Sequence, residues 1–430
     1  MSSRYRFSAL LSSLVLGLVF AGLLSATAWQ PVQDVPGASH ALITYPAYAS
    51  DKQAPLSAFY TPPNPLPKVQ PGSVLKVEPI VDAPPGVVAF RLMYMSTKID
   101  GSPVAVTGAF FDRTNPAPPL GRPLIGFSHG TTGLATVCGV SQAPFTSGMT
   151  GNQFWVPEIK PLVDAGYAVM ATDYQNMGAP GTPSYLVAEA EALNDLDAVR
   201  AAINQFTDRV NGNTLGLIGH SQGGQASLAA AQFAPAYAPE LAFRGIVSQA
   251  PGIIVGLPLV VKTLVGNTTG SSAAFRAEYV SFLAESWSKT LPDKVNVAEL
   301  LTPEGIATLP LTESLCGPPL RERFTKPLDA YIKSDIPASF LRVANSFVPD
   351  SYTPTPVLFT QGMQDTSIVP EFTLATFRTV CREGVTADLK IYPDDDHNSL
   401  LWTAQTDVID WLNARMAGQP APNTCSGRSQ

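Results

Sequence analysis

The pattern of apolar and polar positions changes character several times along the chain. Residues 9–24 form a mostly apolar run behind Arg4 and Arg6, and Ala26-Thr27-Ala28 follows with small residues. A basic lead, a short apolar run and a small-residue end mark a cleaved secretory signal, and the run falls short of the about 20 residues that a spanning helix needs. From residue 29 to about 85 the chain is Pro-rich and weakly periodic. Its aromatic and aliphatic content predicts packing over a core as an extension rather than a disordered tail. Residues 86–95 and 104–111 read as neighbouring strands joined through Asp100-Gly101-Ser102-Pro103.

After Pro118 short apolar runs alternate with amphipathic stretches. Strands are predicted at 123–127, 167–172, 214–218, 243–249, 357–361 and 387–392, and helices at 186–204, 222–233 and 401–417. In the first of these helices Leu193, Leu196, Val199 and Ile203 recur at the spacing of one face. Strands of this kind between helices predict an α/β fold, a mainly parallel sheet covered on both faces. The rhythm breaks between residues 249 and 357. A very apolar segment, 252–265, opens that interval, and helices are predicted at 271–289, 297–308 and 328–346. An insertion between late strands would sit above the C-terminal strand ends, where ligands bind in such sheets. The expected organisation is therefore a signal over 1–28, an extension over 29–85, a core made of 86–250 and 347–430, and a helical cap or lid over 251–346.

Charge and cysteine content narrow the picture. Without residues 1–28 the balance is 27 − 2 = 25 basic against 34 acidic residues, a net charge of −9. An acidic chain with no basic run has no electrostatic footprint for nucleic acid. Cys138, Cys316, Cys381 and Cys425 include no CxxC spacing. In an exported chain such a sparse, even set predicts disulfides rather than a zinc site, with three pairings open. No metal and no cofactor are expected, and the destination is secretion or the periplasm.

The candidate chemistry starts at Gly219-His220-Ser221-Gln222-Gly223, between a predicted strand and a predicted helix. That context is what a nucleophile elbow requires: a tight turn exposes the serine, and glycines two positions away leave room for neighbouring chains. A serine hydroxyl needs a base. Of four histidines, His220 adjoins the serine and its ring is expected to point away, His40 lies in the extension, and His129 precedes the nucleophile in an early turn. His397 remains, in a polar loop after the last strand, and the order Ser, Asp, His is that of the elbow-bearing fold. Asp365 follows the strand 357–361 and is preferred as the orienting carboxylate over Asp394, Asp395 and Asp396, which share the histidine's short loop. Those three are expected to tune the local field. Two backbone donors should meet the oxyanion: the N–H of Gln222, and one from the turn Ser128-His129-Gly130-Thr131-Thr132-Gly133, with Thr131 preferred and Thr132 in reserve.

The chain also resembles the secretory lipase family, the group of Candida antarctica lipase A and its actinobacterial relatives. The likeness rests on Phe59-Tyr60-Thr61-Pro62-Pro63, Pro71-Gly72-Ser73-Val74-Leu75, Arg91-Leu92-Met93-Tyr94-Met95-Ser96-Thr97 and Gly101-Ser102-Pro103-Val104-Ala105-Val106. It continues through the turn at 128–133, Gly166-Tyr167-Ala168-Val169, Asp173-Tyr174 and the elbow with Gly224. The resemblance implies an α/β-hydrolase with a helical cap bearing an acyl tunnel, acting on lipid esters without a metal. It maps the family's triad onto Ser221, Asp365 and His397 and implies disulfides joining Cys138 to Cys316 and Cys381 to Cys425.

The leading expectation is a secreted lipase or broad esterase working through an acyl-enzyme on a lipid or small ester. Contact with a lipid interface would come through 252–265, whose plainer reading is the buried face of a cap helix. The same triad also serves peptidases and acyltransferases. A third class, a non-catalytic binding relative, is disfavoured because all three triad residue types are present.

Overall fold

The computed structural model describes residues 56–146, 152–253, 270–346 and 353–425. The expected signal, the first part of the extension with His40, and residues 254–265 of the apolar segment lie outside the described residues.

Nine strands form one sheet: β1 (Val74–Pro79), β2 (Val87–Thr97), β3 (Pro103–Arg113), β4 (Arg122–Ser128), β5 (Ala168–Thr172), β6 (Val210–His220), β7 (Phe243–Gln249), β8 (Val357–Gly362) and β9 (Ala387–Tyr392). Their order is β1-β2-β3-β5-β4-β6-β7-β8-β9. The pairs β1·β2, β2·β3 and β3·β5 are antiparallel, and every pair from β5·β4 to β8·β9 is parallel. Helices of nine or more residues among the described residues are α1 (Ala188–Gln205), α2 (Gln222–Tyr237), α3 (Gly270–Thr290), α4 (Ala338–Ser346), α5 (Pro370–Arg382) and α6 (Gln405–Met416).

The central strands are apolar throughout because both faces are covered. All five residues of β5 are buried, as are six of the seven in β4. Leu196 and Val199 of α1 join Leu228 and Ala231 of α2 in one core with Leu215 and Leu217 of β6. A second core holds Ile218 of β6 and Val247 of β7 with Trp411 and Leu412 of α6. Each of the leucines, isoleucines and valines among them contributes about 1.5–3 kcal/mol on burial.

Several boundaries depart from the sequence reading. Residues 74–79, expected to lie in the irregular extension, form the edge strand β1 with only partial burial. The single helix expected over 328–346 is a short turn, Leu328–Ala330, and then α4. Pro337 stands immediately before α4, and a proline disfavours the helical conformation of the residue preceding it. Likewise 297–308 divides into Val297–Leu300 and Pro303–Thr308, with Thr302 capping the second through Gly305 N–H. The closing helix breaks at Ala404 into Leu400–Thr403 and α6.

The helices between β7 and β8 gather into their own apolar cluster around Val280, Phe282 and Trp287 of α3 and Phe340 of α4. Trp287 and Phe340 stack with ring centroids 4.6 Å apart. The cluster is fastened to the loop ahead of α1: Trp287 Nε1 donates to Tyr185 O at 3.1 Å, and Thr290 Oγ1 to Pro183 O at 2.6 Å.

Candidate active site

Ser221 stands at the junction of β6 and α2 with φ 59° and ψ −119°. Residues other than glycine hold such a backbone at a cost of about 1–3 kcal/mol. The surroundings impose it. Ser221 N–H donates to Gln249 O at 2.9 Å, and Ser221 O accepts from Gly252 N–H at 2.8 Å. The flanking glycines are steric requirements: a Cβ on Gly219 would lie 2.1 Å from Gly223 O, and one on Gly223 would lie 1.7 Å from Ser128 O.

Asp365 and His397 come together from the ends of β8 and β9. His397 Nδ1 lies 2.6 Å from Asp365 Oδ2, with the carboxylate side chain fully buried and the imidazole nearly so. The other carboxylate oxygen accepts from Ser367 N–H and Ile368 N–H, both at 2.8 Å, which fixes its plane. Gln361 of β8 supports this pair from below: its Nε2 reaches Ile368 O at 3.2 Å and Asp365 Oδ2 at 3.4 Å. The histidine loop lies directly on β8, and Gly362 permits it, since a Cβ there would meet Asp395 O at 2.3 Å. Asp395 and Asp396 serve their own loop: Asp395 accepts from Thr403 Oγ1, and Asp396 accepts from Asn398 N–H and Ser399 N–H.

The other two described histidines, His129 and His220, are locked away from solvent. The His220 ring packs at 4.3 Å against the ring of His397. Burial first, then the neighbouring His397 charge, pushes its pKa well below the imidazole range and keeps it neutral. His129 is fully buried, bonds through Nδ1 to Gly130 O at 2.6 Å and packs on Tyr174; burial pushes its pKa down to about 4. Sequence reasoning missed Gln361 and the stacking of His220, because neither residue type signals a role until the chain is folded.

The turn after β4 reaches the serine. A Cβ on Gly130 would come within 3.8 Å of Ser221 Cβ. Thr131 is partly exposed and its hydroxyl lies 2.9 Å from Tyr185 OH, whereas Thr132 is buried with its hydroxyl on Met177 Sδ. Gln222, the first residue of α2, is buried and its side chain donates to Glu191. A disulfide joins Cys138 to Cys316, and a bridge pairs Gly133 with Cys316, tying this turn to the segment between β7 and β8. A second disulfide joins Cys381 of α5 to Cys425 in the tail. Such bonds form and persist in oxidising compartments. Among the described residues no cluster of His, Cys, Asp and Glu suits a metal, and no helix is long and apolar enough to cross a membrane.

A strained serine at a strand–helix junction, whose neighbour His220 packs on a histidine bonded to a buried carboxylate, is an arrangement that acyl transfer can use. The chain resembles known proteins over most of its length. It is 25% identical over 395 residues to Lipase 10 of Candida albicans, spanning 86% of this chain and 82% of that one. It is 26% identical over 394 residues to a probable inactive lipase of Mycobacterium tuberculosis, spanning 84% and 82%. Among solved structures, Candida antarctica lipase A in its closed state superposes with a TM-score of 0.67 at 20% identity, covering 87% of this chain and 90% of that one. The rice cell wall degrading esterase LipA of Xanthomonas oryzae gives 0.66 at 16% identity, covering 82% and 100%. The fold is that of the α/β-hydrolases. The sequence profile of the secretory lipase family matches residues 147–424. The chain therefore belongs to the secretory lipase family.

Proposed function

We propose that this protein is a secreted serine hydrolase that cleaves carboxylic esters, with lipid esters as its substrate class and residues 251–346 as its cap. The observation that carries the reading is the 2.6 Å contact of His397 Nδ1 with Asp365 Oδ2, on a ring that packs against His220, the residue before the strained Ser221.

With Nδ1 engaged by Asp365, the Nε2 of His397 is the free base. It takes the Ser221 hydroxyl proton as Oγ attacks the ester carbonyl. The N–H groups of Gln222 and Thr131 meet the oxyanion, and the N-terminus of α2 favours the same negative charge. Collapse expels the alcohol, which leaves with the proton held on His397. A water then gives a proton to His397, attacks the acyl-enzyme and releases the acid, and Ser221 recovers its proton. Asp365 orients the ring and stabilises the imidazolium throughout. The described helices between β7 and β8 are bonded to Pro183 and Tyr185 and share an apolar cluster with Leu186, which supports reading them as a cap.

One of the two relatives above is named as inactive, so activity is the first thing to measure. Ser221→Ala should keep the thermal midpoint, abolish turnover of p-nitrophenyl esters and abolish labelling by a fluorophosphonate. Turnover near that of the parent would overturn the assignment.

A further inference from the structure

A small cavity of about 10 Å³, roughly the space of one water, lies next to the elbow and takes no part in the steps above. Two of its polar lining residues, Tyr174 and Tyr185, have their hydroxyls paired with His129 O at 3.1 Å and with Thr131 Oγ1 at 2.9 Å. The other four, Gln175, Ser184, Glu191 and Gln222, are buried, and each keeps one polar atom without a partner: Oε1, Oγ, Oε2 and Oε1 respectively. A buried polar atom left unpaired costs about 1–3 kcal/mol. Four around one cavity need an explanation.

Glu191 is the hub of this group. Its Oε1 accepts from Gln222 Nε2 at 2.7 Å and from Leu186 N–H at 2.9 Å. Gln222 carries the N–H directly after the nucleophile. Leu186 holds a left-handed φ of 53° and lies against Gly252, whose N–H is bonded to Ser221 O. One carboxyl oxygen thus links Gln222, next to the serine, with Leu186, which packs on the Gly252 that is bonded to the serine's carbonyl. The amide orientations follow from the partners of Nε2: Gln222 gives its own to Glu191, and Gln175 gives its own to Thr182 O at 2.8 Å. Both Oε1 atoms are therefore left as acceptors.

Resting on the roles proposed for Ser221 and Gln222, we propose that Glu191 is a positioning residue for acyl transfer: through Gln222 Nε2 it holds the N–H beside the nucleophile in line with the developing oxyanion. Burial favours the neutral acid at this site and pushes its pKa well above the usual carboxylate range. The acid proton then sits on the unpaired Oε2. Two amide acceptors and two hydroxyl donors around one small polar cavity are the complement of a single water, which donates twice and accepts twice.

The competing account is a helix cap, because Glu191 lies near the start of α1 and Leu186 N–H precedes that helix. Four variants separate the two accounts by kcat, KM, thermal midpoint and inhibition by a boronic acid, which mimics the tetrahedral state. Glu191→Leu and Gln222→Ala, the latter keeping its backbone N–H, should each lower kcat about 10–100-fold with KM within about twofold, a fraction of what losing an oxyanion donor costs. Boronate affinity should fall by a matching factor. Glu191→Gln should recover kcat to within about threefold of the parent, because its Oε1 accepts the same two bonds and its N–H replaces the acid proton. A lowered midpoint with parental kcat in Glu191→Leu would make Glu191 a cap and overturn the proposal, as would a Glu191→Gln enzyme as slow as Glu191→Leu. If Glu191→Leu does not fold, Gln222→Ala decides by the same kcat and boronate readings. Ser221→Ala is the fourth: turnover in that variant would sink the underlying reading, whereas its silence beside unaffected Glu191 and Gln222 variants would sink the positioning role alone.

Discussion

Gly219 and Gly223 admit no side chain, and the serine between them is bonded through both its N–H and its carbonyl. At this scale burial also decides which groups carry charge. Glu158, in the turn Trp155–Ile159, is buried with neither carboxyl oxygen partnered, and burial alone pushes its pKa up to about 8 from an ordinary 4.5. Because the folded value is the higher one, the stability it confers is complete below pH 4.5. It declines as the unfolded chain ionises and is lost once the pH has risen through 8. The slope in between is up to about 1.4 kcal/mol per pH unit. Glu158→Gln should therefore leave Tm nearly unchanged at pH 4 and raise it at pH 8. The same change in Tm at both values would mean that the carboxyl is not held neutral.

At the scale of elements the two disulfides differ in reach. Cys138–Cys316 spans 178 residues and Cys381–Cys425 spans 44. Chain-entropy reasoning makes the longer closure worth about 1 kcal/mol more, within a usual contribution of about 2–4 kcal/mol. The Cys138→Ser/Cys316→Ser pair should thus lower Tm more than Cys381→Ser/Cys425→Ser under oxidising conditions; the reverse order would count against that account. Elements whose burial is local were legible in the sequence. Phe243–Gln249 and Ala387–Tyr392 have the bounds expected of them: the first carries the buried run Gly245-Ile246-Val247, and in the second, an edge strand, Ala387, Leu389 and Ile391 alternate with polar residues. Edge strand β1 escaped notice: Lys76 and Glu78 alternate with half-covered residues, so little apolar signal remains. Helix α5 was not singled out either, although Phe372, Thr376, Phe377 and Val380 share its buried side. The helix expected over 328–346 was overread because its apolar spacing continues across Pro337, where the backbone does not.

At the scale of the whole molecule, the chain is acidic, with a net charge of −7, and its α/β core carries a separately packed helical cluster between β7 and β8. If the proposed cap shapes an acyl site, selectivity belongs to that cluster rather than to the sheet. A chain-length series of esters, run below and above their solubility limits, should show a rate jump on emulsified long-chain substrate. A steady fall beyond short acyl chains would identify an esterase of small soluble substrates instead.

By itself the sequence determined the strand–turn–helix setting of Ser221, the succession of sheet and helices, and the short set of histidines and aspartates that could serve it. Those features are local: a glycine two residues away, an apolar run and a capping residue act through neighbours along the chain. Only the tertiary structure decided that His397 meets Asp365, that His220 stacks on that ring, and that Glu191 reaches Gln222. Those contacts join different elements, so the packing of strands and helices, not the spacing of residues, sets their distances.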